Sequence, residues 1–489
     1  MALPWYLPDD PPAIAALLRV YGSADVPGRI SLISRIAREP GNQGWKVLLR
    51  LIMEDPNEDV CWNIVTQLRG LPQRQVEEIN QLIRKLEPTD AQPAALTLLG
   101  RAWEIQDRKK ALAIYRRAID AEAQHPSYDD GELDSAFDAL VGDAINHQRY
   151  DDAAGLRRLQ TTRIGVTRTT YPAPVYALFV LHANYGPLVG FERDLQDFAQ
   201  YLGHPQVLYC LARIYERAGR LVEALALRDA ARAATFSPDE HALLARTLAL
   251  TDWNDYARLE ALAALDSNDP DSLESRIKAR LFLAELAGQE DNDAAVVEHL
   301  TQAVALTEGI GPFILTNPAG VKAQIEWRSA RLAQAKGDQA AFKQHLDTAV
   351  DIATQGSSNA FVGSDTVLNL FPLLKSAGQS DKAMELFNRA YRAERVALDG
   401  ASEDEKAESM NNLAWLCARC DQKLDEALDL SSKAVAAQPD NAAYLDTLAE
   451  IHFRRGDAAE AARLESQALG FEPDDEFMQR QLLRFKTGK

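Results

Sequence analysis

Cysteine is scarce in this chain of 489 residues. Its four cysteines, Cys61, Cys210, Cys417 and Cys420, are too few for a disulfide scaffold and favour a reducing compartment. No run of 18 apolar residues occurs, so the sequence predicts no membrane-spanning helix. The opening MALPWYLPDDPPAIAALL lacks the basic start and long apolar core of a signal peptide. We therefore expect a cytoplasmic location, with an address upstream of Met1 left open.

Basic residues are outnumbered by acidic ones. The chain has 53 Lys and Arg against 72 Asp and Glu, which gives a net charge of −19. A surface this acidic repels phosphate backbones, so we expect no nucleic-acid binding. The charge favours solubility, or protein and peptide partners that are basic or apolar. A hydrophobic content of 46% is typical of a folded chain and argues against wholesale disorder.

Motifs for catalysis and metal binding are missing. The sequence has no phosphate-binding loop, no dinucleotide fingerprint and no nucleophile elbow. The eight histidines are dispersed, and none lies two to four residues from a cysteine. Acidic pairs such as Asp151 and Asp152 stand where helices begin, where capping and dipole compensation explain them. We expect no enzyme activity, no cofactor and no metal ion.

Internal repeats are what the sequence does contain. Three segments, 208–234, 368–390 and 444–473, carry small and apolar residues at the same spacing. Each segment begins its pattern with two adjacent residues and a third residue three positions after the second. A glycine follows, and then two alanines. In the last segment these residues are Leu448, Ala449, His452, Gly456, Ala461 and Ala468, followed by Pro473; the others place Gly219 with Ala224 and Ala231, and Gly378 with Ala383 and Ala390.

This spacing predicts a helix, a tight turn and a second helix. The apolar positions form one stripe on the first helix, and the glycine ends it because only glycine adopts a left-handed conformation cheaply. The alanines let the second helix approach closely. These residues resemble the tetratricopeptide repeat, a 34-residue helix–turn–helix unit. The resemblance implies an all-α, right-handed superhelical solenoid of antiparallel helix pairs that acts as a non-catalytic scaffold or adaptor for proteins and peptides.

Weaker copies extend the array and define three parts of the chain. About ten units are expected over 91–475, interrupted by loops at 308–320, 354–365 and 397–409. Residues 476–489, which end in Arg and Lys, are expected to form a capping helix. The first part, 1–90, lacks the glycine and alanine pattern. Its stretch EDPNEDVCWNIVTQL (54–68) resembles a HEAT repeat, another stacked helix pair.

Cys417 and Cys420 form a C-x-x-C motif in NNLAWLCARCDQ (411–422). Thioredoxin-like chemistry requires this motif at a helix N-terminus, but here it lies late in a helix that begins near Glu408. A zinc site would require a second pair of ligands. The repeat pattern aligns Cys417 with His452, at an interior position. We interpret both cysteines as buried apolar residues and keep a redox or metal-binding pair as the alternative.

Exposed positions on the first helices are the candidates for binding, since the resemblance implies a concave groove lined by them. One repeat offers Tyr209, Arg213 and Arg217, and the last two offer Asn411, Trp415, Asp446, Glu450 and Phe453. An aromatic residue such as Trp415 either anchors a peptide or packs on the neighbouring repeat. Only Asn412 fits the carboxylate clamp of chaperone adaptors within the family. A further alternative is an interaction module that belongs to a larger enzyme or secretion apparatus.

Overall fold

The described part of the chain is helical throughout. The structure is a computed structural model. It describes residues 5–39, 43–69, 73–104, 106–124, 133–163, 173–235, 237–266, 272–307, 317–355, 363–402, 405–472 and 475–488. These residues contain 26 α-helices and no β-strand. They divide into two compact units, Met1–Thr235 and Phe236–Lys489.

The first unit begins with five helices whose turns are tied by a buried carboxylate. They are α1 (Pro12–Tyr21), α2 (Val26–Ala37), α3 (Gln43–Glu54), α4 (Glu58–Arg69) and α5 (Gln73–Ile83). Asp55, in the turn before α4, accepts a 2.6 Å hydrogen bond from the Tyr21 hydroxyl and pairs with Arg29 at 3.2 Å. This explains the Asp-Pro turn that the sequence shows. The assignment of 1–90 to a HEAT-like segment stays a prediction.

Helix pairs fill the rest of the first unit. They are α6 (Pro93–Trp103) with α7 (Arg108–Gln124), α8 (Asp134–Asn146) with α9 (Tyr150–Arg163), α10 (Ala173–Tyr185) with α11 (Phe191–Asp197), and α12 (Pro205–Arg217) with α13 (Leu221–Ala233). The second helix α11 has only seven residues and is followed by a 3₁₀ turn at Ala199–Tyr201. Its shortness explains why the stretch 170–203 matches the repeat pattern poorly.

Six helix pairs and a final helix make up the second unit. The pairs are α14 (Pro238–Ala249) with α15 (Asn254–Ala263), α16 (Leu273–Gln289) with α17 (Asp293–Thr307), α18 (Pro318–Ala335) with α19 (Gln339–Gln355), α20 (Ser364–Ser376) with α21 (Ser380–Gly400), α22 (Lys406–Arg419) with α23 (Leu424–Ala437), and α24 (Ala442–Arg454) with α25 (Ala458–Phe471). Helix α26 (Glu476–Thr487) packs on α25. The all-α array of helix pairs is therefore confirmed; Pro473, the predicted helix stop, lies outside the described residues.

A left-handed residue ends the first helix of most pairs. Gly219 and Gly456 have φ of 76° and 88°, and the next residue donates a backbone hydrogen bond five residues back, from Arg220 to Tyr215 and from Asp457 to His452. This is the Schellman closure of a helix. The same turn is made by Gly337 and Gly378, and without glycine by Gln148, Asp252, Asp291 and Asp421. The predicted turn geometry thus extends to repeats in which the sequence pattern is weak.

Successive pairs are joined by hydrogen bonds that span one repeat. Arg158 bonds Asp194 across 36 residues at 2.5 Å, and Arg328 bonds Asp293 across 35 residues at 2.6 Å. Further bonds across 35 residues are Lys382 to Asp347, Tyr391 to Glu426 and Gln481 to Asp446. A recurring separation close to 34 residues is what a tetratricopeptide-like array requires. The chain is therefore built from tetratricopeptide-like units.

The alanines and cysteines of the pattern lie inside the helix pairs. Ala224 is 2% exposed, and Ala231, Ala461 and Ala468 are completely buried. Cys417 and Cys420, at 0% and 1% exposure, join the apolar cluster that includes Leu413 and Leu416. The interpretation of the C-x-x-C pair as interior packing is confirmed.

Candidate functional site

An open groove lies on the first helices of three successive pairs in the second unit. Its volume is about 420 Å³, within the usual range of a ligand pocket. Leu281 of α16 forms one wall, α18 forms the floor, and the start of α20 forms the other wall. We call this the α18 groove; its lining residues are Leu281, Asn317, Gly320, Val321, Gln324, Trp327, Arg328, Gly363, Asp365, Thr366 and Asn369.

Side-chain amides supply much of the polar lining. Gln324 is partly exposed and has no hydrogen bond to another described residue. Asn369 donates from Nδ2 to the Asp365 carbonyl at 2.7 Å, which leaves its Oδ1 available as an acceptor. Asn317 caps α18 by accepting from the Gly320 N–H at 2.8 Å. A carboxamide offers both donors and an acceptor, so the groove can pair with groups of either kind.

The floor of the groove is one face of α18 and mixes polar and apolar side chains. Val321, Gln324 and Arg328 are three or four residues apart on α18, and this spacing places them on one helix face. Trp327 is 4% exposed and packs in the apolar cluster with Ala323 and Ala330. Because its ring is held on the protein side, it shapes the groove without having to be ordered by a ligand.

The one arginine of the groove is already neutralised. Arg328 Nη1 lies 2.6 Å from Asp293 Oδ1, and its guanidinium carbon lies 4.5 Å from the Trp327 ring centre. Arg331 pairs with the second oxygen of Asp293 at 3.1 Å. Asp365, at the rim, is exposed. The groove is therefore close to neutral at its floor and slightly negative at its edge.

The candidates on α12 are less exposed than the sequence suggested. Tyr209 is completely buried, so its prediction as an exposed position is wrong. Both α10 and α13 pack against α12, so little of this helix is left open to solvent. Arg213 pairs with Glu216 at 3.1 Å, and Arg217 donates to the carbonyl of Ala183 at 2.8 Å. Arg217 thus links α12 to α10, whereas the pair of Arg213 lies within α12. A binding role for the three residues stays a prediction.

The candidates near the end of the chain are also mostly covered. Asn411 and Asp446 are 8% and 7% exposed and Glu450 is completely buried, so their predicted exposure is wrong. Helix α26 covers two of them, because Gln481 donates to Asp446 at 2.6 Å and Arg484 pairs with Glu450. The sequence predicts a capping helix here, but not which side chains it covers. Their binding role stays untested.

Two aromatic candidates remain partly exposed beside α26. The Trp415 ring makes an edge contact with Phe477, with centroids 6.4 Å apart, and the Arg419 guanidinium lies 5.1 Å above it. Phe453 lies 4.9 Å from the Phe485 ring. These contacts favour the packing alternative for Trp415. They also close the first-helix face at this end, whereas the α18 groove is open.

The thiols are poorly suited to chemistry. Burial raises the pKa of Cys417 and of Cys420 to about 12, so neither forms a thiolate nucleophile near neutral pH. Among the residues that the structure describes, no three His, Cys, Asp or Glu side chains group closely enough to hold a metal ion. Within the same part of the chain, no helix is long and apolar enough to cross a membrane.

Sequence reasoning missed the α18 groove. The pattern search gave weight to glycine and alanine positions, and in α18 these identify only Ala330, Ala333 and Gly337. A usable signal was present in the amides and the tryptophan of α18 and α20, which follow two of the predicted interruptions of the array, 308–320 and 354–365. Long loops inside a regular repeat often accompany a functional surface.

Comparisons with known proteins give similarity to helical-repeat structures and nothing more specific. No protein-family model matches the chain, and no curated protein matches it. Yeast Tom70 is 14% identical, with 97% of this chain and 95% of that chain covered and a TM-score of 0.34. Human IFIT1, in a dimer with m7Gppp-AAAA, is 12% identical over 83% of this chain and 96% of its own, with a TM-score of 0.30. A signal transduction ATPase of Pyrococcus horikoshii with a tetratricopeptide repeat sensor is 13% identical over 94% and 74%, with a TM-score of 0.33. Similarity this low carries none of their functions to the present chain.

Proposed function

We propose that this protein is a non-catalytic scaffold or adaptor that binds an extended peptide segment of a protein partner in the α18 groove. The observation that carries the proposal is an open groove lined by the side-chain amides of Gln324 on α18 and Asn369 on α20, together with apolar side chains. An extended peptide backbone has alternating donors and acceptors, and carboxamides match both. Leu281 and Val321, both half-buried, offer a surface for one apolar side chain of the peptide.

The expected partner segment is apolar at its centre and neutral or basic at its ends. Arg328 is paired with Asp293, so the groove holds no free cation for an acidic peptide. Asp365 at the rim and the net charge of −19 favour positive charge in the flanking residues. The same charge disfavours nucleic acid as a ligand. We further propose a cytoplasmic location, on the basis of the four reduced cysteines.

The test is selection of peptides from a displayed random library, followed by titration with groove variants. Gln324→Ala and Asn369→Ala should each weaken a selected peptide by about 2- to 13-fold in Kd, as expected for a lost hydrogen bond of about 0.5–1.5 kcal/mol. Asn412→Ala is the matched control, because Asn412 is an exposed amide on the first helix α22, outside the groove. Selected peptides that bind all three variants as tightly as the wild type would refute the groove as the binding site.

A further inference from the structure

Three carboxyl groups are buried together beneath α26. Asp446 and Glu450 project from α24, and Glu465 projects from α25. Their side chains belong to residues that are 7%, 0% and 0% exposed. Carboxyl groups are almost never buried without hydrogen-bond partners or counter-charges, so each one requires an account.

Two of the three carboxyls have donors. Asp446 Oδ1 accepts from Gln481 Nε2 at 2.6 Å. Glu450 accepts from Arg454 Nε at 2.7 Å and also from Arg484. Both Gln481 and Arg484 lie on α26, so these bonds attach α26 to α24. Glu450 is therefore a paired carboxylate, and Asp446 is half satisfied.

Glu465 has no donor. Both of its carboxyl oxygens are buried, and neither has an N–H or O–H partner among the described residues. The charged groups that disfavour its ionised form are Asp446 and Glu450 on α24 and Asp475 at the start of α26, and the nearby cations Arg454 and Arg484 are paired with Glu450. Arg419 of α22 faces Asp446 from the other side. An ionised Glu465 would thus be a buried charge surrounded by like charges.

A proton on Glu465 removes its buried negative charge and supplies the missing hydrogen-bond donor. The Glu465 and Asp446 carboxyls are hydrogen-bond neighbours, but two carboxylates cannot bond because both only accept. A neutral Glu465 donates its O–H to Asp446 and removes one negative charge. Burial and then the facing Asp446 raise the pKa of Glu465, and burial likewise raises the pKa of Asp446, in agreement with one shared proton.

We propose that Glu465 is protonated at neutral pH and donates a hydrogen bond from its carboxyl O–H to Asp446. This hydrogen bond stabilises the closed position of α26 over the last helix pair. Asp446 then receives one hydrogen bond from α25 and one from Gln481 of α26. When the proton leaves to solvent, Asp446 and Glu465 repel each other directly beneath α26, and the closed state loses its hydrogen bond.

The direction of the pH effect follows from proton counting. When α26 is closed, Glu465 keeps its proton; when α26 opens, water reaches Glu465 and the proton is released. The closed state therefore binds more protons than the open one. Rising pH therefore favours opening, by up to about tenfold in the open-to-closed ratio per pH unit. Opening exposes Asp446 and Glu450, which are otherwise shielded, so the device controls access to the first-helix face of the last pair.

The experiment is hydrogen exchange of the segment 475–488 in the full chain between pH 6 and pH 10, for the wild type and Glu465→Gln. The glutamine amide donates to Asp446 as the protonated acid does, but it cannot ionise. At each pH the intrinsic exchange rate is the same in both proteins, so it cancels in their ratio. We expect the protection of the wild type relative to Glu465→Gln to fall steadily as the pH rises, by at least tenfold between pH 6 and pH 10.

Glu460→Gln is the matched control, since Glu460 lies on the same helix but is partly exposed and paired with Arg463 at 2.6 Å. It should follow the wild type at every pH. A constant ratio of wild type to Glu465→Gln across the range would overturn the proposal. If Glu465→Gln fails to fold, carbon-13 NMR of labelled glutamate in the wild type decides: a Glu465 carboxyl carbon at its ionised position at pH 7 refutes the shared proton.

Discussion

Gly100 of α6 offers a sharp test of how tightly the helix pairs are packed. A Cβ added at this position would lie 2.5 Å and 2.6 Å from two ring carbons of Tyr115, on the second helix α7. Real Cβ contacts are not this short, so the ring has to move. Tyr115 is 1% exposed, and its hydroxyl donates to Glu104 at 3.1 Å. Alanine at position 100 therefore disturbs both a packed ring and a hydrogen bond.

The expected change in the free energy of unfolding combines one stabilising contribution and two destabilising ones. Replacing glycine by alanine inside a helix gains about 1 kcal/mol of helix propensity. Overpacking a close contact costs about 1–3 kcal/mol, and losing the Tyr115 hydrogen bond costs about 0.5–1.5 kcal/mol. We expect Gly100→Ala to destabilise its helix pair by about 2 kcal/mol. Gly142→Ala, in the first helix of the next pair, has no atom within 4 Å of the added Cβ and should stabilise by about 1 kcal/mol.

Hydrogen exchange is the suitable assay, because a chain with two compact units need not unfold in a single step. Protection of the segment 93–124 should fall in Gly100→Ala, and protection of 134–163 should rise in Gly142→Ala. Adding Tyr115→Leu to Gly100→Ala shortens the side chain and should recover part of the loss. Equal stabilisation by the two alanines would refute the close approach of α6 and α7.

Two further outcomes are expected. Cys417 and Cys420 should stay unlabelled by a maleimide reagent until urea unfolds the last repeats, because both thiols are buried with raised pKa; rapid labelling of the native protein would restore the reactive-pair alternative. His182 Nε2 lies 2.9 Å from Asp194, Leu188 N–H donates to its Nδ1, and burial lowers the pKa of His182. Below about pH 6.5 His182 is protonated in the unfolded chain but not in the folded protein, so the free energy of unfolding decreases as the pH falls. If the urea midpoint decreases equally with falling pH in the wild type and in His182→Gln, this explanation is contradicted.

The architecture was predictable because its signals are local. A glycine after an apolar stripe predicts a left-handed turn from the chemistry of one residue, and Gly219, Gly378 and Gly456 adopt it. The turns at Asp252, Asp291 and Asp421 gave no such signal, because a carboxylate side chain is compatible with many conformations. Close packing of the surrounding helices holds these residues in the left-handed region despite its strain.

The exposure of site residues was not predictable in the same way. Whether a first-helix side chain faces solvent depends on the helices packed against it from other repeats, as α26 covers Asp446 and Glu450. A single-repeat pattern contains no information about that neighbour. The α18 groove was missed for a related reason, because an opening arises from the spacing between three helices rather than from any one motif.

The hydrogen bonds that span one repeat have a consequence for the order in which the chain folds during synthesis. A partner for Asp293 emerges only about 35 residues later, with Arg328, and the same interval separates Asp446 from Gln481. Such short-range closure allows each helix pair to be completed soon after it leaves the ribosome, without waiting for the far end of the chain. The carboxyl of Asp446 therefore waits for the segment that carries Gln481, and the proton proposed for Glu465 is taken up only when α26 closes over the last pair.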